Sequence, residues 1–312
     1  MTRRLLALVL AVTVAVGCGG GASRENGTAT PRDRRIESGA IPGHQVQIGG
    51  GRSLFVNCVG AGTPAVVLES GLGTNASQWS SVQPQLGRST RVCSYDRAGT
   101  GSSVAPPGVR NAGNEIADLR RWPAHAGIAP PYVLVGHSYG GVLARVFAHR
   151  HPTETAGLVL IDTMGRDGRR RQLAVWPRSQ APELRSMLAT TVTGNVDTAA
   201  GEAIASRVRT LGDMPLVVVD AARQKNFLTT PQPLQRRLRR LWSRMHDEFA
   251  RLSDDSVGVT ALRSDHDVAS SAMGQPSVVI RAVQAVVRAV RDGTRLPTCP
   301  RIFSGPDVRC RE

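Results

Sequence analysis

YVLVGHSYGG, residues Tyr132–Gly141, is the stretch whose reading decides the fold. Its first four residues form an apolar, β-branched run of the kind buried in a parallel sheet. From Val142 to Arg150 the pattern turns helical. Between the two lies Gly136-His137-Ser138-Tyr139-Gly140, a G-x-S-x-G turn. A strand that passes so abruptly into a helix strains the residue at the apex. Gly136 and Gly140 are required because a Cβ at either place would collide with the neighbouring strand and helix. The consequence is a serine hydroxyl exposed above the carboxyl end of a strand, backed by the first free N–H groups of a helix. Those donors and the helix dipole favour negative charge, as an oxyanion requires. Ser138 is therefore a candidate nucleophile; the strand before it and the helix after it set it apart from an idle serine in a glycine-rich turn.

VLVGHSYGG resembles the nucleophile elbow of the α/β-hydrolase superfamily, and other stretches from about Val46 to Val290 resemble the same superfamily. The resemblance implies an α/β fold with a mostly parallel, eight-stranded sheet flanked by helices and a small cap insertion. It names no substrate. In that fold the chain order is serine, acid, histidine, with the histidine on the loop after the last strand. Ser256 to Leu262 reads as the last strand, and of the seven histidines only His266 has the required placement. His137 lies inside the elbow and is expected to point away, while His149 and His151 close the elbow helix, where its dipole suits them.

The acid is less plainly marked. Most relatives carry it several residues past the strand that here is Pro215 to Val219, yet Ala221 to Phe227 contains no carboxylate. Two candidates remain. Asp162 follows the strand Gly157 to Ile161, a position some relatives use, and Asp220 closes the strand Pro215 to Val219; Asp162 is preferred and Asp220 kept as the alternative. For either, an ordinary strand-end cap is the plain structural explanation.

After the buried run Ala65 to Leu68 comes Glu69-Ser70-Gly71-Leu72-Gly73, in the place where the superfamily has a His-Gly-x-Gly-like turn. The resemblance assigns the backbone N–H of Leu72 to the oxyanion hole, paired with that of Tyr139. Serine replaces histidine at 70, which changes the support of the loop and leaves the backbone donor. Asp96-Arg97-Ala98-Gly99-Thr100-Gly101-Ser102 looks like the superfamily's D-R-x-G-x-G-x-S loop and is assigned structure, bracing the active-site floor. Further elements read as a helix from Trp79 to Leu86, a helix from Asn114 to Ala126 and a long helix from Leu234 to Leu252 bearing Trp242, Met245 and Phe249 on one face. Between about residues 163 and 213 the pattern becomes arginine-rich and weakly helical, as suits a short cap. There Trp176, Leu184, Met187 and Leu188 either line an acyl pocket or pack helix to core.

A chain of 312 residues, 41% of them hydrophobic, suffices for one large α/β domain, here residues 42–295. Its formal charge of +15 comes almost entirely from arginine, since Lys225 is the single lysine. The arginines are spread along the chain without a nucleic-acid-binding motif, so nucleic acid is not an expected partner. At the N-terminus, Arg3 and Arg4 precede the apolar run Leu5 to Val16, which is too short to span a bilayer and reads as the core of an export signal, residues 1–18. Ala15-Val16-Gly17-Cys18 resembles a bacterial lipobox, with alanine where leucine is preferred. It implies a lipid anchor on Cys18 and export to the cell membrane, simple secretion being the alternative. Residues 19–41 read as a flexible tether. Cys58, Cys93, Cys299 and Cys310 remain, an even number in an exported chain. The superfamily's strand order makes Cys58–Cys93 neighbours, and Cys299 with Cys310 would staple the tail, residues 296–312. No spacing resembles a zinc site, so no metal is expected, and the reading calls for no cofactor.

These roles predict a serine hydrolase. His266 takes the Ser138 proton as an acyl carbonyl is attacked, the acid fixes the imidazole tautomer, and water resolves the acyl-enzyme. The expected substrate is an ester or a lipid-like acyl compound. The alternatives are an acyltransferase and an envelope-anchored binding protein that keeps the fold without the chemistry.

Overall fold

A computed structural model describes residues 43–177, 186, 192–193, 195–223 and 231–311. The export signal, the tether and Cys18 lie outside these residues, as do Leu184, Met187, Leu188 and Lys225. The compact unit spans Ile41–Glu312.

Among the described residues twelve strands run in chain order. They are β1 (His44–Gly49), β2 (Arg52–Val59), β3 (Val66–Glu69), β4 (Val92–Tyr95), β5 (Arg110–Asn111), β6 (Tyr132–His137), β7 (Thr155–Ile161), β8 (Val192–Thr193), β9 (Val196–Asp197), β10 (Leu216–Ala221), β11 (Ser256–Ala261) and β12 (Val308–Arg311). Nine form the central sheet in the order β1-β2-β4-β3-β6-β7-β10-β11-β12. From β4 through β11 all neighbours are parallel, and β1, β2 and β12 pair antiparallel at the two edges. This is the mostly parallel sheet of the α/β-hydrolase fold, with one strand more than the eight expected. The tail folds back as β12 on β11 instead of hanging free.

The apolar runs that mark the parallel strands are explained by helices on both faces. Along β6, Tyr132 and Leu134 enter one core while Val133 and Val135 enter the other; Leu158 and Leu160 of β7 alternate in the same way with Val159 and Ile161. The first face is covered by the helices Ala112–His125 and Tyr139–Arg150, through Leu119, Trp122, Leu143 and Phe147. The second is covered by Pro276–Asp292, whose Val279, Val283 and Val286 are fully buried. The expected helix from Trp79 to Leu86 is two short pieces, a 3₁₀ turn Ala76–Trp79 and a helix Gln83–Leu86. Pro84 in the first turn of the latter lacks the N–H needed to continue a longer helix from Trp79.

Within residues 163–213 the described parts are a helix Gly168–Val175, the β8–β9 pair and a helix Thr198–Ala205. β9 also pairs with β5, and the helix Thr198–Ala205 packs on Tyr139–Arg150. Trp176 is buried against Leu234 and Leu238 of the helix Gln232–Ala250, so it packs helix to helix. Cys58 is bonded to Cys93 across β2 and β4, and Cys299 to Cys310. Among the described residues no helix is long and apolar enough to cross a membrane.

Candidate active site

Ser138 sits where the local rules put it. β6 ends at His137, the helix begins at Tyr139, and Ser138 between them has φ 54° and ψ −121°, in the left-handed region that a side chain ordinarily avoids. Two glycines permit this turn. A Cβ on Gly136 would lie 2.6 Å from the Gly140 carbonyl oxygen, and one on Gly140 would lie 2.2 Å from that of Glu69. The second contact also shows how tightly the helix start is pressed against the loop that carries Leu72.

Three chain-distant residues meet above this turn. Ser138 Oγ lies 2.9 Å from His266 Nε2, and His266 Nδ1 lies 2.6 Å from Asp162 Oδ2. Because a carboxylate accepts, Nδ1 carries the proton and Nε2 is left to accept from the serine. Burial pulls the His266 pKa down, but the hydrogen bond and charge of Asp162 outweigh it and hold the ring above its ordinary value. Asp162 is fully buried and directly follows β7, with φ 42°. Its Oδ1 accepts from Trp242 Nε1 at 2.7 Å and from the Ala221 N–H at 3.2 Å, so the carboxylate cannot rotate freely.

Asp220, the alternative acid, lies elsewhere. It is inside β10, and its Oδ2 accepts from Arg311 of β12, whose guanidinium also reaches Asp247 and the Ser243 carbonyl. The tail strand thus occupies the carboxylate that sequence reasoning left open. His246 stands between the two acids, its Nε2 3.9 Å from Asp162 and its Nδ1 3.7 Å from Asp220. These three side chains are close enough to offer ligand atoms to a metal ion. The fit is poor, however, because Nδ1 of His246 is bonded to the Trp242 carbonyl at 3.0 Å and the Arg311 guanidinium already brings positive charge to Asp220.

His137 does not point away. Its ring packs 4.7 Å from that of His266, and its Nε2 lies 2.7 Å from the His266 carbonyl oxygen. Gln78 Nε2, a donor, sits 2.5 Å from Nδ1, so the neutral ring carries its proton on Nε2 and donates it to that carbonyl. Burial, reinforced by repulsion from His266, pushes the His137 pKa down to about 3, which keeps the ring neutral at working pH. Gln78 is held in turn by Gly71 N–H and Thr74 Oγ1 on its amide oxygen. The elbow, the Leu72 loop and the His266 loop are thereby tied together. Sequence reasoning missed Gln78, His137 and the Trp242 indole as site residues; a polar indole N–H on an otherwise apolar helix face was the one available signal.

The candidate oxyanion donors lie on the first residue after Ser138 and on the loop that follows β3. Tyr139 is the first residue of its helix, so its N–H has no carbonyl a turn earlier to meet. The Leu72 loop is held by Arg97, which donates to the carbonyls of Ser70 and Gly71 and pairs with Glu69 at 2.6 Å. Ser70, where the superfamily has histidine, supports the loop by accepting from Trp79 Nε1 at 2.9 Å and donating to the Asn75 carbonyl. Asp96 fixes the next loop through the N–H groups of Ala76 and Ser102, the bracing role expected of this segment. Beside Leu72 and Arg97 opens a cavity of about 430 Å³, lined further by Ala98, Ala105 and, from the insertion, Val196.

Comparison with known proteins bears on the fold. Residues 64–212 match the family model described as "alpha/beta hydrolase fold". An uncharacterised protein YqjL of Bacillus subtilis is 25% identical over 67% of this chain and 79% of its own length. The 2-hydroxy-6-oxo-2,4-heptadienoate hydrolase of Pseudomonas putida is 36% identical over 38% of this chain, and the match spans only 44% of that enzyme. Among solved structures, a thermophilic esterase from Thermogutta terrifontis superposes with a TM-score of 0.54 over 80% of this chain and 99% of its own, at 21% identity. The partial match to the family model and the likeness to the solved structures support the alpha/beta hydrolase fold for this chain.

Proposed function

We propose that the protein is a serine hydrolase that cleaves an ester or related acyl bond of a small-molecule or lipid-like substrate. The observation that carries this reading is the unbroken line from Ser138 Oγ through His266 to the buried Asp162, at 2.9 and 2.6 Å. Attack begins when Ser138 Oγ gives its proton to His266 Nε2 and bonds the acyl carbon. Asp162 stabilises the imidazolium, and the Leu72 and Tyr139 N–H groups donate to the oxyanion. His266 then returns the proton to the leaving group. In the second half His266 takes a proton from water as the water oxygen bonds the acyl carbon, and it returns that proton to Ser138 Oγ as the acyl–Oγ bond breaks and the acid leaves. The hydrolases among the relatives support a hydrolytic function, and the cavity beside Leu72 is the place for the acyl group.

Asp162 on His266 speaks against a fold retained without chemistry. Ser138→Ala should abolish turnover of p-nitrophenyl acetate and labelling by a fluorophosphonate while the melting curve is unchanged. Undiminished turnover in this variant ends the proposal. An alcohol added as acceptor tests acyl transfer, which would show as ester product in place of acid.

The same reading places the enzyme outside the cytoplasm, anchored through a lipid on Cys18. Two disulfides within the described residues support export, since such bonds persist in oxidising compartments. Cys18→Ala should move the protein from the membrane fraction to the soluble fraction; retention in the membrane fraction refutes the anchor.

A further inference from the structure

We propose that a second, basic pocket beside the elbow helix binds a phosphate-bearing anion. Its cavity, about 510 Å³, lies among the helix Tyr139–Arg150, the segment before the helix Gly168–Val175, the end of the helix Thr198–Ala205 and the end of the helix Gln232–Ala250. None of Ser138, Asp162, His266 or Leu72 lines it. Arg145 stands seven residues after Ser138, about 10 Å along the helix axis.

The charge is one-sided. Arg145, Arg166, Arg170, Arg171, Arg209 and Arg251 line the cavity, against two carboxylates, Asp167 and Glu248. Asp167 pairs with Arg170 at 3.0 Å and Arg166 at 3.9 Å, and Glu248 pairs with Arg171 at 2.8 Å. Six positive groups less two negative ones leave four charges unmatched in one concavity, which focuses potential on an anion.

The second observation is Arg145 itself. It is 2% exposed, yet among the described residues its Nε has no hydrogen-bond partner, and its Nη2 reaches the Met164 carbonyl at a long 3.4 Å. The guanidinium lies over the Phe249 ring, 4.6 Å from its centroid. The acid whose charge acts on it, Glu202, is bound to Arg169 at 2.8 Å. A buried guanidinium with donors unfilled and no carboxylate of its own is costly unless a ligand supplies the acceptors. Phosphate suits it, because its several oxygens take guanidinium forks two bonds at a time. The cavity admits more than the bare ion, so a phosphate ester is the expected class.

Isothermal titration of the full chain with inorganic pyrophosphate tests the site, with glycerophosphoglycerol as a phosphodiester headgroup analogue. Pyrophosphate should bind, and affinity should fall at least tenfold in Arg145→Met and in the surface pair Arg209→Glu/Arg251→Glu. Fluorophosphonate labelling at Ser138 checks that each variant is folded; should R145M fail that check, the surface pair decides. Pyrophosphate favoured tenfold over the diester identifies a soluble phosphate ester, and equal binding identifies a lipid or polymer headgroup; both support the site. Absence of pyrophosphate binding to the native protein, or unchanged binding by the folded variants, overturns it.

Discussion

Replacing Asp162 by asparagine tests the proposed mechanism at its most sensitive point. Oδ1 of Asp162 is held by the donors Trp242 Nε1 and Ala221 N, which dictate that an amide at this place puts its oxygen there. Its NH₂ must then face His266 Nδ1 in the position of Oδ2, now 2.6 Å away. A donor opposite Nδ1 forces that nitrogen to accept, so the ring proton moves to Nε2 and points at Ser138 Oγ. The serine then has no base. The same inversion of tautomer in a serine protease lowers kcat about 10⁴-fold, and that is the loss expected here, about 5.4 kcal/mol of barrier. Asp220→Asn is the control, because that carboxylate is engaged by Arg311 and does not touch His266. It should keep activity within about tenfold, an effect on transition-state stabilisation below about 1.4 kcal/mol. Both variants are assayed by initial rates on p-nitrophenyl acetate, with circular dichroism to confirm folding. If D162N retains more than about a tenth of native kcat while D220N collapses, the assignment of the acid is wrong and with it the tautomer argument.

The pH profile follows from His266, which must be neutral to accept the serine proton. Because Asp162 raises its pKa above the ordinary value, kcat/KM should climb with pH through an inflection above 6.5, while His137, already neutral, adds no second step near neutrality. An inflection at or below 6 contradicts this. Gly140→Ala would place a methyl 2.2 Å from a backbone oxygen that no rotamer change can move. The strain, about 1–3 kcal/mol or more, should lower Tm by several degrees in a thermal melt, and an unchanged Tm refutes the close packing of elbow on loop. Arg311→Met should strand the buried Asp220 carboxylate and cost about 3 kcal/mol in urea titration, with kcat reduced far less than in D162N; a stability change below about 1 kcal/mol shows that the tail strand does not hold Asp220.

The fold was legible because its signals are local. The run Tyr132–Val135 with G-x-S-x-G states strand, turn and helix within ten residues, and the hydrophobic runs at Ala65–Leu68 and Gly157–Ile161 name buried parallel strands without reference to anything distant. His266 was legible by position alone, as the histidine after the final strand. What escaped depends on contacts between segments far apart in the chain. Gln78 and His137 bond across 59 residues, and His137 reaches the His266 carbonyl across 129. No periodicity reports such a pair. The ninth strand escaped for another reason: Val308–Arg311 is only four residues long and polar in composition, so it pairs because Cys310 and β11 hold it, not because of its own preference.

The two candidate acids show how distant partners distinguish positions that the sequence leaves equivalent. Asp162 and Asp220 both belong to neighbouring parallel strands or their ends, and β7 and β10 pair in register from Leu158 with Leu216 to Ile161 with Val219. Asp162 and Asp220 therefore stand side by side, each one residue beyond the last pair. Strand position alone cannot separate them. Two other segments do. The helix Gln232–Ala250 brings the Trp242 indole to Asp162, 80 residues away, and leaves its second oxygen for His266. The tail brings Arg311 to Asp220, 91 residues away, and ties that carboxylate into a network with Asp247 and Ser243. A neutral indole donor orients a carboxylate without cancelling its charge, so Asp162 can still stabilise an imidazolium. A guanidinium neutralises it, so Asp220 has little charge to offer. In the proposed mechanism the choice of acid thus rests on what each carboxylate's neighbour does to its charge, and exchanging the two neighbours, not the two aspartates, is what would exchange their roles.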